Sequence, residues 1–130
     1  MFNRRTGMSV LACRFHWVAA PEEAAAQAAR LGADPASWAR QLWGYVDVRD
    51  AAQACRSGVE ADGLGFEAFN IIAADTLVDT LTEELIHRYC PEVELRKSLR
   101  GTETAWSIDK ARRLLGYQPR HSWRGSGTLH

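Results

Sequence analysis

The order of elements in this chain predicts an α/β fold, a small and mainly parallel sheet with flanking helices. Three observations carry that expectation. Short apolar and β-branched runs alternate with helical segments rather than with tight hairpin turns. The first run, Ser9-Val-Leu-Ala-Cys13, is continuously apolar, which suits a strand buried on both faces. Finally, 130 residues with 46% hydrophobic and 25% charged side chains suffice for one domain with its own core.

Taken in order, Gly7 introduces the strand at Ser9–Cys13, and Pro21 opens a helix where its missing N–H costs nothing. Glu22 and Glu23 complement the dipole in the first turn, and alanines carry the helix to Leu31 and Gly32. Asp34-Pro35 starts a second short helix through Trp38 to Gln41. Trp43-Gly-Tyr-Val-Asp-Val48 reads as a strand running straight into a helix, with Asp47 as N-cap and Asp50 reaching back in a capping box. Val48, Ala51, Ala52 and Cys55 form its apolar stripe, and Gly58 is placed to end it.

After a turn at Asp62-Gly-Leu-Gly65, Phe66-Glu-Ala-Phe-Asn-Ile-Ile72 is aromatic and β-branched, a further strand. Thr80 caps the next helix with Glu83 at N3; Leu81, Leu85 and Tyr89 mark its buried face and Pro91 stops it. Val93–Leu95 is expected as a brief strand. The last helix starts at Ser107, turns Ile108, Ala111 and Leu115 inward and ends at Gly116. The whole chain, 1–130, reads as a single domain with a loose polar tail from 118 to 130.

Lys+Arg 16 and Asp+Glu 16 cancel, so charge gives no reason to expect nucleic acid or an anionic membrane as partner. The basic residues between Arg112 and Arg124 suit a solvated helix C-terminus. No apolar run approaches the ~20 residues that span a bilayer, and the start lacks the pattern of a signal peptide. Cys13, Cys55 and Cys90 are odd in number and widely spaced, which points to small buried apolar groups in a reduced, cytoplasmic protein. His87 and Cys90 lack a second pair, so no metal site is expected.

No catalytic constellation is legible. The only G-x-G outside the C-terminal tail, Gly63 and Gly65, precedes a strand rather than a helix and so does not make a dinucleotide turn. The nearest approach to a Tyr-x-x-x-Lys pair is Tyr45 with Arg49, which bridge a strand and a helix and share no helical face. Paired acids such as Glu22/Glu23 and Glu83/Glu84 belong to helix starts. Asp47 and Asp50 lie where α/β pockets form, at the end of a strand, although capping is the favoured account of them. Of the five tryptophans, all near element ends, Trp17 and Trp43 adjoin strands and are the two placed to line a pocket.

Four stretches together resemble the extended short-chain dehydrogenase/reductases, the NAD-dependent epimerase/dehydratase family. Thr6-Gly-Met-Ser-Val-Leu-Ala-Cys-Arg-Phe15 is similar to its "LRf" strand. Trp43-Gly-Tyr-Val-Asp-Val-Arg-Asp-Ala-Ala52 resembles its "Y-[IV]-[DH]-V-x-D-[VA]-A" stretch. Phe66–Ile72 resembles its "fNia" strand, and Ser107–Pro119 its closing "LG-[WY]-x-P" element. The four occur in family order and cover nearly the whole chain.

The resemblance implies the C-terminal, substrate-binding part of a Rossmann-type fold whose glycine-rich turn and Tyr-x-x-x-Lys pair precede the first strand here. It implies NAD or NADP as cofactor of the full-length family, none binding this chain alone, and no catalytic, cofactor-binding or metal residue within it. Substrate contacts carry over to His16, Trp17, Trp43, Tyr45 and Asp47. Trp43 stands where members acting on nucleotide sugars commonly carry an arginine, so a smaller or less charged substrate is implied. The expected partners are a small-molecule substrate and either a second copy of the chain or the absent N-terminal half. The alternative is a stand-alone oligomeric binding module without catalysis.

Overall fold

The computed structural model describes residues 2–125, and its elements follow the alternating order that predicts an α/β fold. They are α1 (Phe2–Thr6), β1 (Val10–Phe15), β2 (Val18–Ala19), α2 (Pro21–Ala33), a 3-10 helix (Pro35–Gln41), β3 (Val46–Asp47), α3 (Val48–Glu60), β4 (Phe66–Ile71), α4 (Thr82–Tyr89) and α5 (Asp109–Leu115). β1 and β4 pair in parallel, Val10 opposite Phe66 through Phe15 opposite Ile71. Beyond their ends a second parallel pair forms, Val18 with Val46 and Ala19 with Asp47.

Two apolar clusters lie around this frame. Leu11 and Cys13 pack with buried Phe69, Ile71, Ala54, Ala111 and Tyr117 where the helices α3 and α5 cover one sheet face. The other cluster gathers Trp43, Tyr45, Leu77, Leu85 and Ile86 with Leu31 of α2. On the opposite sheet face Ala12, Arg14 and Phe66 are exposed, and Val10, Ala68 and Asn70 are half-buried.

Local chemistry explains most boundaries. α2 begins at Pro21, and Glu23 accepts a hydrogen bond from the Ala20 N–H at 2.8 Å. Asp47 caps α3 by accepting from the Arg49 N–H at 2.9 Å. Gly116 closes α5 in the left-handed conformation at φ 65°.

Several expectations fail for identifiable reasons. Trp43–Tyr45 is not strand, because Leu42 and Trp43 sit at φ 49° and 54° and turn the chain sharply. Burying the Trp43 ring completely, with its Nε1–H donating to the Pro35 carbonyl at 2.8 Å, offsets that unfavourable backbone. The buried stripe of α3 is Asp50, Ala51 and Ala54, leaving Val48, Ala52 and Cys55 outward. Gly58 does not end α3 but lies within it, where an added Cβ would stand 3.5 Å from Leu11. α4 starts two residues beyond Thr80, with Leu81 exposed; Glu83 instead accepts from the Leu99 N–H at 2.7 Å, drawing that loop onto the helix. α5 begins after Ile108 rather than at Ser107, and Val93–Leu95 forms no strand.

The largest departure is the segment expected to be a loose tail. From 120 to 125 it is a strap fixed to the fold, and residues 126–130 lie outside the described ones. Buried Asp75 accepts from Tyr45 Oη at 2.7 Å and from Ser122 Oγ at 2.6 Å, and Arg124 Nη1 donates to the same carboxylate. Arg124 further donates to the Thr76 and Val78 carbonyls at 2.8 and 2.7 Å. Buried Asp50 accepts from the Arg120 and His121 N–H groups and from His121 Nδ1 at 2.8 Å.

Removing the Asp75 carboxylate would take the central acceptor from a partly buried guanidinium and from two hydroxyls. Asp75→Ala is expected to lower unfolding free energy by about 3 kcal/mol, the range for breaking a buried pair. Denaturant titration followed by tryptophan fluorescence measures it; a midpoint equal to that of the unmodified chain would show the strap to be dispensable.

Candidate functional site

Where β1 ends, the chain turns through His16 and Trp17, and two more tryptophans converge on them. Trp38 comes from the 3-10 helix and packs on Trp17 with ring centroids 5.3 Å apart. Trp106, from the segment before α5, meets the His16 ring edge-on at 5.7 Å. With Phe15, Arg40 and Gln41 these rings line an open groove of about 530 Å3. It occupies the carboxyl end of a parallel strand, the position at which open α/β sheets form ligand crevices.

One backbone group fixes the groove. The Gln41 carbonyl accepts from Trp106 Nε1–H at 3.1 Å and from His16 Nε2 at 3.0 Å. His16 Nδ1 accepts from the Trp17 N–H at 2.7 Å, so its proton resides on Nε2 and the ring is neutral. Burial holds the His16 imidazole below the usual histidine range, opposed in part by the Gln41 carbonyl. With both nitrogens engaged, His16 shapes the groove and has no free lone pair to act as a base. Gly44 allows the arrangement, because an added Cβ would stand 2.8 Å from the ring.

The structure divides the five residues expected at the site. His16 and Trp17 come together at the groove. Trp43 and Tyr45 do not reach it: their side chains are 0% and 1% accessible and belong to the core. Tyr45 Oη donates to Asp75, and burial, with Asp75 next, drives its phenol far above the ordinary tyrosine value, so it is no proton donor near neutrality. Asp47 is buried too, gripped by Arg49 Nε and Nη2 at 2.8 Å each. Burial alone would raise the Asp47 carboxyl, but the hydrogen bonds from Arg49 outweigh it and hold the group below the usual carboxylate range.

Trp38 and Trp106 are the groove residues that the sequence reading left unassigned. Their only signal is an aromatic ring at an element end, shared with tryptophans that pack elsewhere. A second cleft of about 600 Å3 lies over the strap, lined by Pro21, Arg49, Arg120, His121 and Trp123. There the Asp50 carboxylate accepts from His121 Nδ1, which leaves Nε2 as the nitrogen without an assigned partner. Spacing gave no hint of this pair, whose members are 71 residues apart.

Gly63 and Gly65, both at positive φ, lead into β4 and not into a helix. The longer helices begin with acids: Glu22 and Glu23 on α2, Asp47 and Asp50 on α3, Glu83 and Glu84 on α4. Among the described residues no cluster of three or more His, Cys, Asp or Glu could hold a metal ion. No helix among them is long and apolar enough to cross a membrane. Compared with protein-family models, with curated proteins and with solved structures, the chain finds no match in any of the three.

Two outcomes check this geometry. Gly44→Ala should push the His16 ring off the Gln41 carbonyl and cost roughly 1–3 kcal/mol, as overpacking does; unchanged His16 ring resonances in NMR spectra would contradict the contact. Because the folded state binds a proton at His16 less tightly than the unfolded chain, stability from this residue is present above the unfolded histidine value and lost as pH falls through it. In His16→Gln that loss, read from denaturation midpoints across mildly acidic pH, should shrink.

Proposed function

We propose that this chain is the substrate-side part of an NAD(P)-dependent epimerase/dehydratase-like oxidoreductase of Rossmann type, with the cofactor and the catalytic pair supplied by residues outside it. The observation that carries the reading is the aromatic groove at the carboxyl end of β1, built from His16 and Trp17, which directly follow the stretch that resembles the family's "LRf" strand. Its walls are uncharged apart from Arg40. They favour a small, weakly charged substrate that stacks on indole faces over a nucleotide diphosphate. In this reading His16 and Trp17 contact the substrate, Trp38 and Trp106 complete the wall, and Trp43, Tyr45 and Asp47 support it from the core.

With its cofactor turn and catalytic pair lying outside it in this reading, the isolated chain is expected to be inactive. Three free cysteines accord with a reducing, cytoplasmic setting. A second reading, an oligomeric binding module without catalysis, is favoured by one observation: the outer edge of β1 pairs with no other strand among the described residues.

Titration of the chain with NADH tests the first reading. No saturable change in nicotinamide or tryptophan fluorescence is expected, and a saturable micromolar response would overturn the proposed division of labour. The coding sequence upstream of Met1 provides the complementary check. An in-frame glycine-rich turn and Tyr-x-x-x-Lys are expected there, and a stop codon close upstream would favour the stand-alone module.

A further inference from the structure

The outer edge of β1 combines three features that are separately ordinary. Val10 N–H donates to the Gly65 carbonyl and His16 N–H to the Ile71 carbonyl, so the even-numbered residues of this stretch bond to β4. By the alternation of a parallel ladder, the N–H and C=O groups of Leu11, Cys13 and Phe15 point away from β4, toward an edge that no other strand among the described residues covers. Beside that edge runs an open groove of about 800 Å3 lined by the side chains of Leu11, Cys13 and Phe15 and by Cys55 and Val59 of α3. Val59 is 87% exposed and Met8, at the groove's lower end, 59%. Apolar groups this open next to unpaired backbone make a strand-docking seat.

We propose that the occupant is a second copy of this chain, joined by antiparallel pairing of the two β1 edges about a two-fold axis through Cys13. This deepens the oligomeric reading above and does not depend on the oxidoreductase one.

The edge's own chemistry selects the partner and the register. The outward-bonding residues are Leu11, Cys13 and Phe15, so a two-fold centred on Cys13 sets Leu11 opposite Phe15 of the other copy and Cys13 opposite itself. Each of these pairs exchanges both backbone hydrogen bonds. The single charged side chain of β1, Arg14, then faces Ala12. Sliding the register by one repeat toward the carboxyl end would set Arg14 against Arg14, a like-charge pair that is penalised. Sliding it the other way leaves Phe15 opposite polar Ser9.

The same axis serves α3. Its outward stripe of Val48, Ala52, Cys55 and Val59 reads apolar in both directions, so two antiparallel copies match Val48 with Val59 and Ala52 with Cys55. Antiparallel helices also oppose their dipoles and bring Arg49 at one end toward Glu60 at the other. Cys13 and Cys55 line the same groove, which places the strand's centre beside the middle of the stripe. An isologous interface requires this self-complementarity.

Light scattering coupled to size exclusion should give twice the 14.5 kDa chain mass at high protein concentration. On a Cys55→Ser background, a short bismaleimide should bridge the two Cys13 thiols, each adding across one maleimide double bond. Burial pushes the Cys13 thiol up, so the reaction is run at mildly alkaline pH. Cys13→Ser should abolish the bridge. Val59→Lys, on an exposed helix position that folding does not use, should convert the dimer to monomer, whereas Phe66→Lys on the open sheet face should leave it unchanged. A monomer at every soluble concentration overturns the proposal. So does a dimer that survives Val59→Lys without bridging at Cys13, or one found only as a complex with a different polypeptide.

Discussion

Two buried carboxylates organise this molecule. Asp50 and Asp75 are 1% and 4% accessible, and a charge so placed is tolerated only when donors surround it. All but one of these donors come from the strap at 120–125, which turns two N–H groups and an imidazole to Asp50 and a hydroxyl and a guanidinium to Asp75. Tyr45 completes the second set from inside the core, and its oxygen accepts from the Trp123 N–H at 3.1 Å. Helix α3, the turn after β4 and the strap are thereby tied into one unit across long sequence separations.

That tie decides what is left for ligand binding. Because Tyr45 and Trp43 are committed to the interior, the aromatic groove has to be built from His16, Trp17, Trp38 and Trp106. Its rigidity comes from the Gln41 carbonyl, which engages His16 and Trp106 together. Such a wall can orient a substrate by stacking, but it presents no group poised to exchange a proton. The proposed dependence on residues outside the chain rests on that chemistry as much as on the missing glycine-rich turn.

Elements whose pattern depends on near neighbours were legible in the sequence. β1, α2, β4 and α5 fall close to where apolar runs, Pro21, the first-turn acids and Gly116 put them. Those that depend on distant partners were not. The face of α3 is rotated because Asp50, polar by type, is drawn inward by donors 70 residues away, so Ala54 is buried in place of Cys55. The strap reads as a loose tail because its composition is polar, whereas its polar groups are the reason it is held. Of the residues that line the groove, His16 and Trp17 were indicated by the family resemblance, Trp17 also by its place beside a strand. Trp38 and Trp106 were not, since an indole that lids the core and one that lines a groove look alike in sequence. Trp43 was misassigned to the strand because no local rule anticipates two consecutive non-glycine residues at positive φ.

The strap carries a consequence for how the chain is made. Asp50 and Asp75 leave the ribosome long before Arg120, His121, Ser122 and Arg124 are synthesised, so the nascent chain holds two carboxylates that cannot be enclosed without their donors. Until then both must stay in water, and the clusters around them remain open to solvent. Closure of the core around them is therefore timed by the emergence of a few polar residues rather than by the collapse of apolar ones.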